Sequence, residues 1–211
     1  MILRTLVVLA LLFPIRGDTA DFMSLCTSKT RPKGFDELIQ INLHKLNLVL
    51  GNPQVCKSIH KEVVALTSLN VDTTLKPISL DILREPELFP NLTSISLAVD
   101  EPLRVLKIGN HPNLTSLDLV GSLEVSDFGD VLHCRKLNSI RFNGHKGSSW
   151  VDIKQISQFP LLRLDVHGVS IRNAKTIESL RDLQSVRLVG TTLDGPIDWS
   201  LLPNLRTKTI K

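Results

Sequence analysis

The sequence predicts an α/β chain wound as a solenoid, in which each turn contributes one short strand to a parallel sheet. Three observations carry that expectation. An apolar template of the form Leu-x-x-Leu-x-Leu returns at near-constant spacing along the chain. The same Pro-Asn-Leu opening introduces several of its copies. The side chains available for packing are aliphatic, because aromatics make up only 4% of the residues and Tyr is absent. Like layers filled by Leu, Ile and Val stack readily, and no single turn buries its own apolar row.

The copies read Leu66-x-x-Leu69-x-Val71, Leu92-x-x-Ile95-x-Leu97, Leu114-x-x-Leu117-x-Leu119, Leu137-x-x-Ile140-x-Phe142, Leu161-x-x-Leu164-x-Val166 and Leu183-x-x-Val186-x-Leu188. Their starts lie 22 to 26 residues apart. Pro90-Asn91-Leu92, Pro112-Asn113-Leu114 and Pro203-Asn204-Leu205 open three units identically, and Phe159-Pro160-Leu161 opens another. Periods of roughly 20–29 residues with this core mark leucine-rich repeats. The alternation in the second half of the template is that of a strand with every other residue inward. Apolar residues in the remainder of each unit recur about every three positions, as a short 3₁₀ return segment requires. Such sets are Val125, Phe128 and Leu132; Ile153, Ile156 and Phe159; and Ala174, Ile177 and Leu180. Leu103 to Ile108 repeats the template too soon after Leu92 for a full turn, so Val105 to Ile108 is expected to be the return segment of that unit.

Three stretches follow one another. Arg4 precedes an unbroken apolar run from Leu6 to Phe13, closed by Pro14, which is the pattern of a secretory signal and too short for a bilayer span. Residues 1–17 are therefore expected to be a signal peptide, cut after Gly17 or, as a runner-up, after Ala20. Leu25 before Cys26 argues against a lipid anchor. Residues 18–65 are expected to form a small helical cap: Phe35, Leu38, Ile39, Leu43, Leu46 and Leu50 recur at helical spacing, and Gly51-Asn52-Pro53 stops that element. Residues 66–211 carry the repeats. Of the three cysteines, Cys26 and Cys56 flank one segment of the cap, and export to an oxidising compartment would favour a disulfide between them. Cys134 lies among repeat residues and reads as a small buried apolar side chain.

This arrangement resembles the secreted bacterial leucine-rich-repeat proteins of internalin-like type, which join a signal peptide and a small helical cap to repeats of about 22 residues. Phe22 to Cys26, the helix from Phe35 and Cys56 to Leu69 correspond to the cap, and Leu92 to Leu205 to the repeats. The resemblance implies a binding scaffold and names no ligand. One feature departs from the family pattern. Eight positions after the first Leu, where family repeats carry Asn or Cys, this chain has Asp100, Ser122, His145, Val169 and Thr191.

No enzyme signature emerges. The chain has no G-x-S-x-G, H-E-x-x-H, C-x-x-C or P-loop. Gly144 to Ser149 lacks the Gly-Lys-Ser/Thr order of a phosphate loop and reads as a surface turn. The six His residues show no metal-ligand spacing and default to surface positions. A net charge of +4, spread along the chain, argues against nucleic acid as the partner. No cofactor or metal is implied, and no stable membrane insertion. Two N-x-T sequons, at Asn91 and Asn113, coincide with the repeat opening and read as part of it.

The sheet face that a solenoid leaves concave and solvated then carries the function. The outward residue of successive strands is Ser96, Asp118, Arg141, Asp165 and Arg187, flanked by Arg163 and His167. Asp118, Arg141, Arg163, Asp165, His167 and Arg187 are the candidate contact residues, because arginine on a preorganised surface makes bidentate contacts to carboxylates. The expected function is that of a secreted protein that recognises another protein through this face. An inhibitor of a secreted enzyme, or a structural cell-surface or matrix protein, are the alternatives, the last associating through its C-terminal sheet edge.

Overall fold

A computed structural model describes residues 67–72, 83, 84, 86 and 89–211. The expected signal segment, the helical cap and the Cys26–Cys56 disulfide lie outside the described residues.

The template positions become strands. β1 (Ser68–Asp72), β2 (Ser94–Val105), β3 (Ser116–Asp127), β4 (Ser139–Gly144), β6 (Arg163–His167), β8 (Ser185–Val189) and β10 (Thr207–Ile210) lie side by side in that order in one sheet, every pairing parallel. Register follows the repeat: Ile95, Leu117, Ile140, Leu164 and Val186 are successive partners, as are Leu97, Leu119, Phe142, Val166 and Leu188. All ten are buried, and so are the opening leucines Leu92, Leu114, Leu137, Leu161 and Leu183. The leucine-rich solenoid read from the sequence is thus the architecture of the described chain.

Two further regularities lock one turn onto the next. The carbonyl of the residue after each opening Leu accepts two backbone N–H groups from the following turn: Thr93 O from Thr115 and Ser116, Asn138 O from Leu162 and Arg163, Gln184 O from Arg206 and Thr207. The Pro-Asn-Leu opening, and the Thr that follows two of its copies, add side chains to this ladder. Asn113 Nδ2 donates to Pro90 O at 3.0 Å and Asn204 Nδ2 to Arg181 O at 3.0 Å, while Thr93 and Thr115 hydroxyls donate to Thr67 O and Thr93 O. The repeated motif is therefore an inter-turn stitch.

A second ladder, which the repeat template does not predict, runs beside the first. Past the corner, the far half of β3 pairs in parallel with β5 (Trp150–Asp152), which pairs with β7 (Ser170–Arg172) and then β9 (Thr192–Leu193). Its inward row is Val125, Val151, Ile171 and the partly buried Leu193. Short 3₁₀ segments, Gly129–His133, Ile156–Gln158, Ala174–Ser179 and Trp199–Leu201, complete the returns. The apolar triplets fall in or beside these segments, except that Val125 lies in β3, and two further residues differ. Val131 is fully buried in the first segment, and Leu132 only partly, because a 3₁₀ turn starting at Gly129 aims the earlier residue inward. Val105 ends β2 and is 43% exposed, so the return of that unit begins at the buried Leu106.

Glycine recurs at the corner that follows the strand of each of four successive turns. Gly121, Gly144, Gly168 and Gly190 each stand seven positions after an opening Leu. Gly121 has φ +112°, and a Cβ there would meet Val99 O at 1.9 Å, so the preceding turn fits only against a bare backbone. Two hydroxyls also bond the backbone at this corner. Buried Ser149 accepts from the N–H of His145 at 3.0 Å and of Leu123 at 3.3 Å and donates to Gly121 O, and Thr191 donates to Val166 O at 3.1 Å.

Candidate functional site

Because Ile140, Leu164 and Val186 point inward, the residues between them point outward, and the parallel register lines them up across the sheet. One outer row runs Ser96, Asp118, Arg141, Asp165, Arg187, Thr209. A neighbouring row runs Ser94, Ser116, Ser139, Arg163, Ser185, Thr207. The charges alternate along the first row from β3 to β8, and a hydroxyl row interrupted by Arg163 lies alongside.

Arg141 bridges the two carboxylates on either side. Its Nη1 lies 3.6 Å from Asp118 Oδ2 and its Nε 3.4 Å from Asp165 Oδ2. Asp165 also takes His167, whose Nε2 lies 2.7 Å from Oδ1. Both oxygens of Asp165 are thereby engaged, which explains how a carboxylate stays buried on a sheet surface. Asp118 is less well served: its Oδ1 is buried with no hydrogen-bond partner. Burial pushes its carboxyl above the usual range and the charge of Asp165 adds to that, while Arg141 opposes both. Arg163 and Arg187 are exposed, and neither makes an ion pair among the described residues.

The structure thus groups Asp118, Arg141, Asp165 and His167 into one network and leaves Arg163 and Arg187 beside it with open donors. Their juxtaposition was legible from the template, since each occupies a fixed offset from an opening Leu. The division into spent and available arginines was not, because it depends on which side chain reaches Asp165.

Elsewhere the histidine expectation needs correction. His111 is fully buried, its Nε2 2.8 Å from Leu83 O and its ring 6.4 Å from that of Phe89. Cys134 is a buried free thiol whose Sγ lies 3.5 Å from Gly109 O, and burial raises its pKa. On the return flank a depression of about 490 Å³ is lined by Asn173, Lys175, Glu178, Asp194, Ile197 and Asp198. Its carboxylates serve the fold. Asp194 accepts the N–H groups of Ala174 and Asn173, which hold its pKa low, and Glu178 accepts the N–H of Asp198. Also on that flank, Arg172 Cζ stacks 3.6 Å over the Trp150 ring, a contact no spacing rule would have found. Among the described residues no three His, Cys, Asp or Glu side chains are placed to hold a metal, and no helix is long and apolar enough to cross a membrane.

No family model matches the chain, and no curated protein does. Among solved structures the chain is similar to an internalin of Listeria monocytogenes, with 19% identity and a TM-score of 0.39 over 70% of this chain and 48% of that one, so it spans about half of that protein's length.

Proposed function

We propose that this chain is a secreted recognition module that binds another protein through the outer, concave face of its main sheet. Asp118, Arg141, Arg163, Asp165, His167 and Arg187 form the centre of contact, and the role is binding rather than turnover. The observation that carries this reading is the charged outer row of β3, β4, β6 and β8. Polar side chains on paired strands are held at fixed spacing by the backbone, so this chain loses little conformational entropy when a partner meets them. Export is supported by the apolar run from Leu6 to Phe13 behind Arg4.

The test compares faces. The full chain is immobilised and used to capture partners from the extracellular fluid of its source, alongside a Ser139→Trp variant on the outer face and a Lys154→Trp variant on the return flank. Ser139→Trp is expected to weaken capture about tenfold or more, equivalent to ~1.4 kcal/mol, and Lys154→Trp to leave it unchanged. Retention by the first variant, or loss with the second, removes the outer face as the contact surface.

A further inference from the structure

We propose that Arg163 and Arg187 form a two-cation clamp for an extended acidic segment of the partner, with carboxylates on alternate residues. The inference rests on the outer sheet face being the recognition surface, and it assigns the chemistry of what that face takes.

Arg141 lies between Asp118 and Asp165 and is committed to both. Asp165 stands directly opposite Arg187 in the strand register and would be its natural partner. Arg141 and His167 each contact one of its oxygens, however, and no ion pair joins it to Arg187. Arg187 therefore keeps its donors. Arg163 has only Ser139 and Ser185 opposite it on the two flanking strands, so no carboxylate faces it across the ladder. Two exposed guanidinium groups thus share one patch, and the carboxylate nearest to them is nearly buried and satisfied.

Geometry then selects the ligand. Arg163 on β6 pairs with Ser185 on β8, and Arg187 lies two residues further along β8, so the two arginines are diagonal neighbours. With parallel strands about 4.8 Å apart and a rise of about 3.3 Å per residue, such a diagonal spans about 8 Å. Residues i and i+2 of an extended chain project to one face about 7 Å apart, which matches that spacing. Each guanidinium can then take one carboxylate with two parallel N–H donors, a geometry that lysine would not provide. The hydroxyls of Ser139 and Ser185 lie beside Arg163 as further donors.

The same layout disfavours a long polyanion. Moving from β8 towards β3, the outer row passes Arg141, already spent, and reaches Asp118 with its unpartnered Oδ1. That carboxylate stands about 14 Å from Arg187, three strand spacings away, and would repel a nucleic acid or glycosaminoglycan laid along the row. A short acidic stretch of protein fits between these limits.

The experiment uses the whole chain and defined probes. A fluorescent peptide of alternating Asp and Ser is titrated at low ionic strength, alongside a Lys–Ser counterpart and oligothymidylate. The Asp–Ser peptide is expected to bind and the other two to bind far more weakly. Arg163→Gln and Arg187→Gln should each lower its affinity about tenfold, a loss in the range of one buried charge-assisted contact. Arg163→Lys and Arg187→Lys should fall between wild type and Gln, because charge survives and the fork does not. Arg172→Gln, at the Trp150 stack, should change nothing. Circular dichroism melts of every variant check that the fold is kept. Failure of the Asp–Ser peptide to bind, equal binding by the Gln variants, or tighter binding of oligothymidylate overturns the clamp. If partner capture is lost in Ser139→Trp yet survives in Arg163→Gln and Arg187→Gln, the recognition face stands and the clamp alone falls.

Discussion

The corner after each strand is built by individual residues whose roles differ although they look alike in sequence. Gly121 and Gly147 both have positive φ, +112° and +87°. A side chain at Gly121 would collide with the carbonyl of Val99, whereas one at Gly147 would meet nothing within 4 Å. Gly121→Ala is therefore expected to cost about 3 kcal/mol or more, and Gly147→Ala about 1 kcal/mol, the backbone penalty alone. Urea denaturation of the two variants measures both, and equal losses would show that turn-to-turn contact is not what fixes Gly121. Glycine at a fixed offset from the opening Leu was visible in the sequence. Its meaning was not, because the clash lies with a carbonyl from the preceding turn, 22 residues earlier. Ser149 is a similar case: nothing local distinguishes it from Ser148, yet it is buried and joins three backbone groups, while Ser148 is exposed and bonds only within its own turn.

Among the elements, the strands were the most legible and the returns the least. Period-2 alternation decides which face of a strand is buried, so Ile140 and Phe142 inward and Arg141 outward followed directly. The return segments are short, and a one-residue difference in where a 3₁₀ turn begins exchanges Leu132 for Val131. The second ladder of β5, β7 and β9 has strands of two or three residues, too short to show a period at all. What anchors this side is Phe128, which meets Phe142 and Phe159 edge-on at centroid distances of 6.2 and 6.1 Å and joins the strand side to the return side. Phe128→Ala is expected to destabilise the chain by about 3–5 kcal/mol, since a fully buried ring leaves a cavity and two ring contacts are lost. A thermal or denaturant midpoint unchanged from wild type would mean that the neighbouring turns collapse into the space.

Over the whole molecule, each turn touches chiefly its two neighbours, so stability is close to a chain of nearest-neighbour terms. The last described turn is weakly held. Lys208 stands opposite Val186 at a position other turns fill with an aliphatic residue, its Nζ 5.4 Å from the Trp199 ring, and Ile210 is 53% exposed. Hydrogen exchange followed by mass spectrometry should therefore find β4 and β6 among the most protected segments. Amides of β10 should exchange at least about tenfold faster, as expected where local opening is cheap. Uniform protection across β4, β6 and β10 would indicate instead that the array opens only as a unit.

The repeat period and the inward apolar positions were determined by the sequence itself. A parallel ladder with fixed register needs only equal turn lengths and a buried aliphatic row, and both are written in the order of residues. The outer row followed as well, because alternation along a strand assigns every residue a face. Pairing among those outer charges was decided only in three dimensions. Asp118, Arg141, Asp165, His167 and Arg187 are spaced about a turn apart in the chain, apart from the local pair Asp165 and His167. Which cation reaches Asp165 depends on side-chain reach across adjacent strands. The same holds for the glycine corners and the asparagine stitches, whose partners belong to another turn and come within hydrogen-bonding distance only once the turns have stacked.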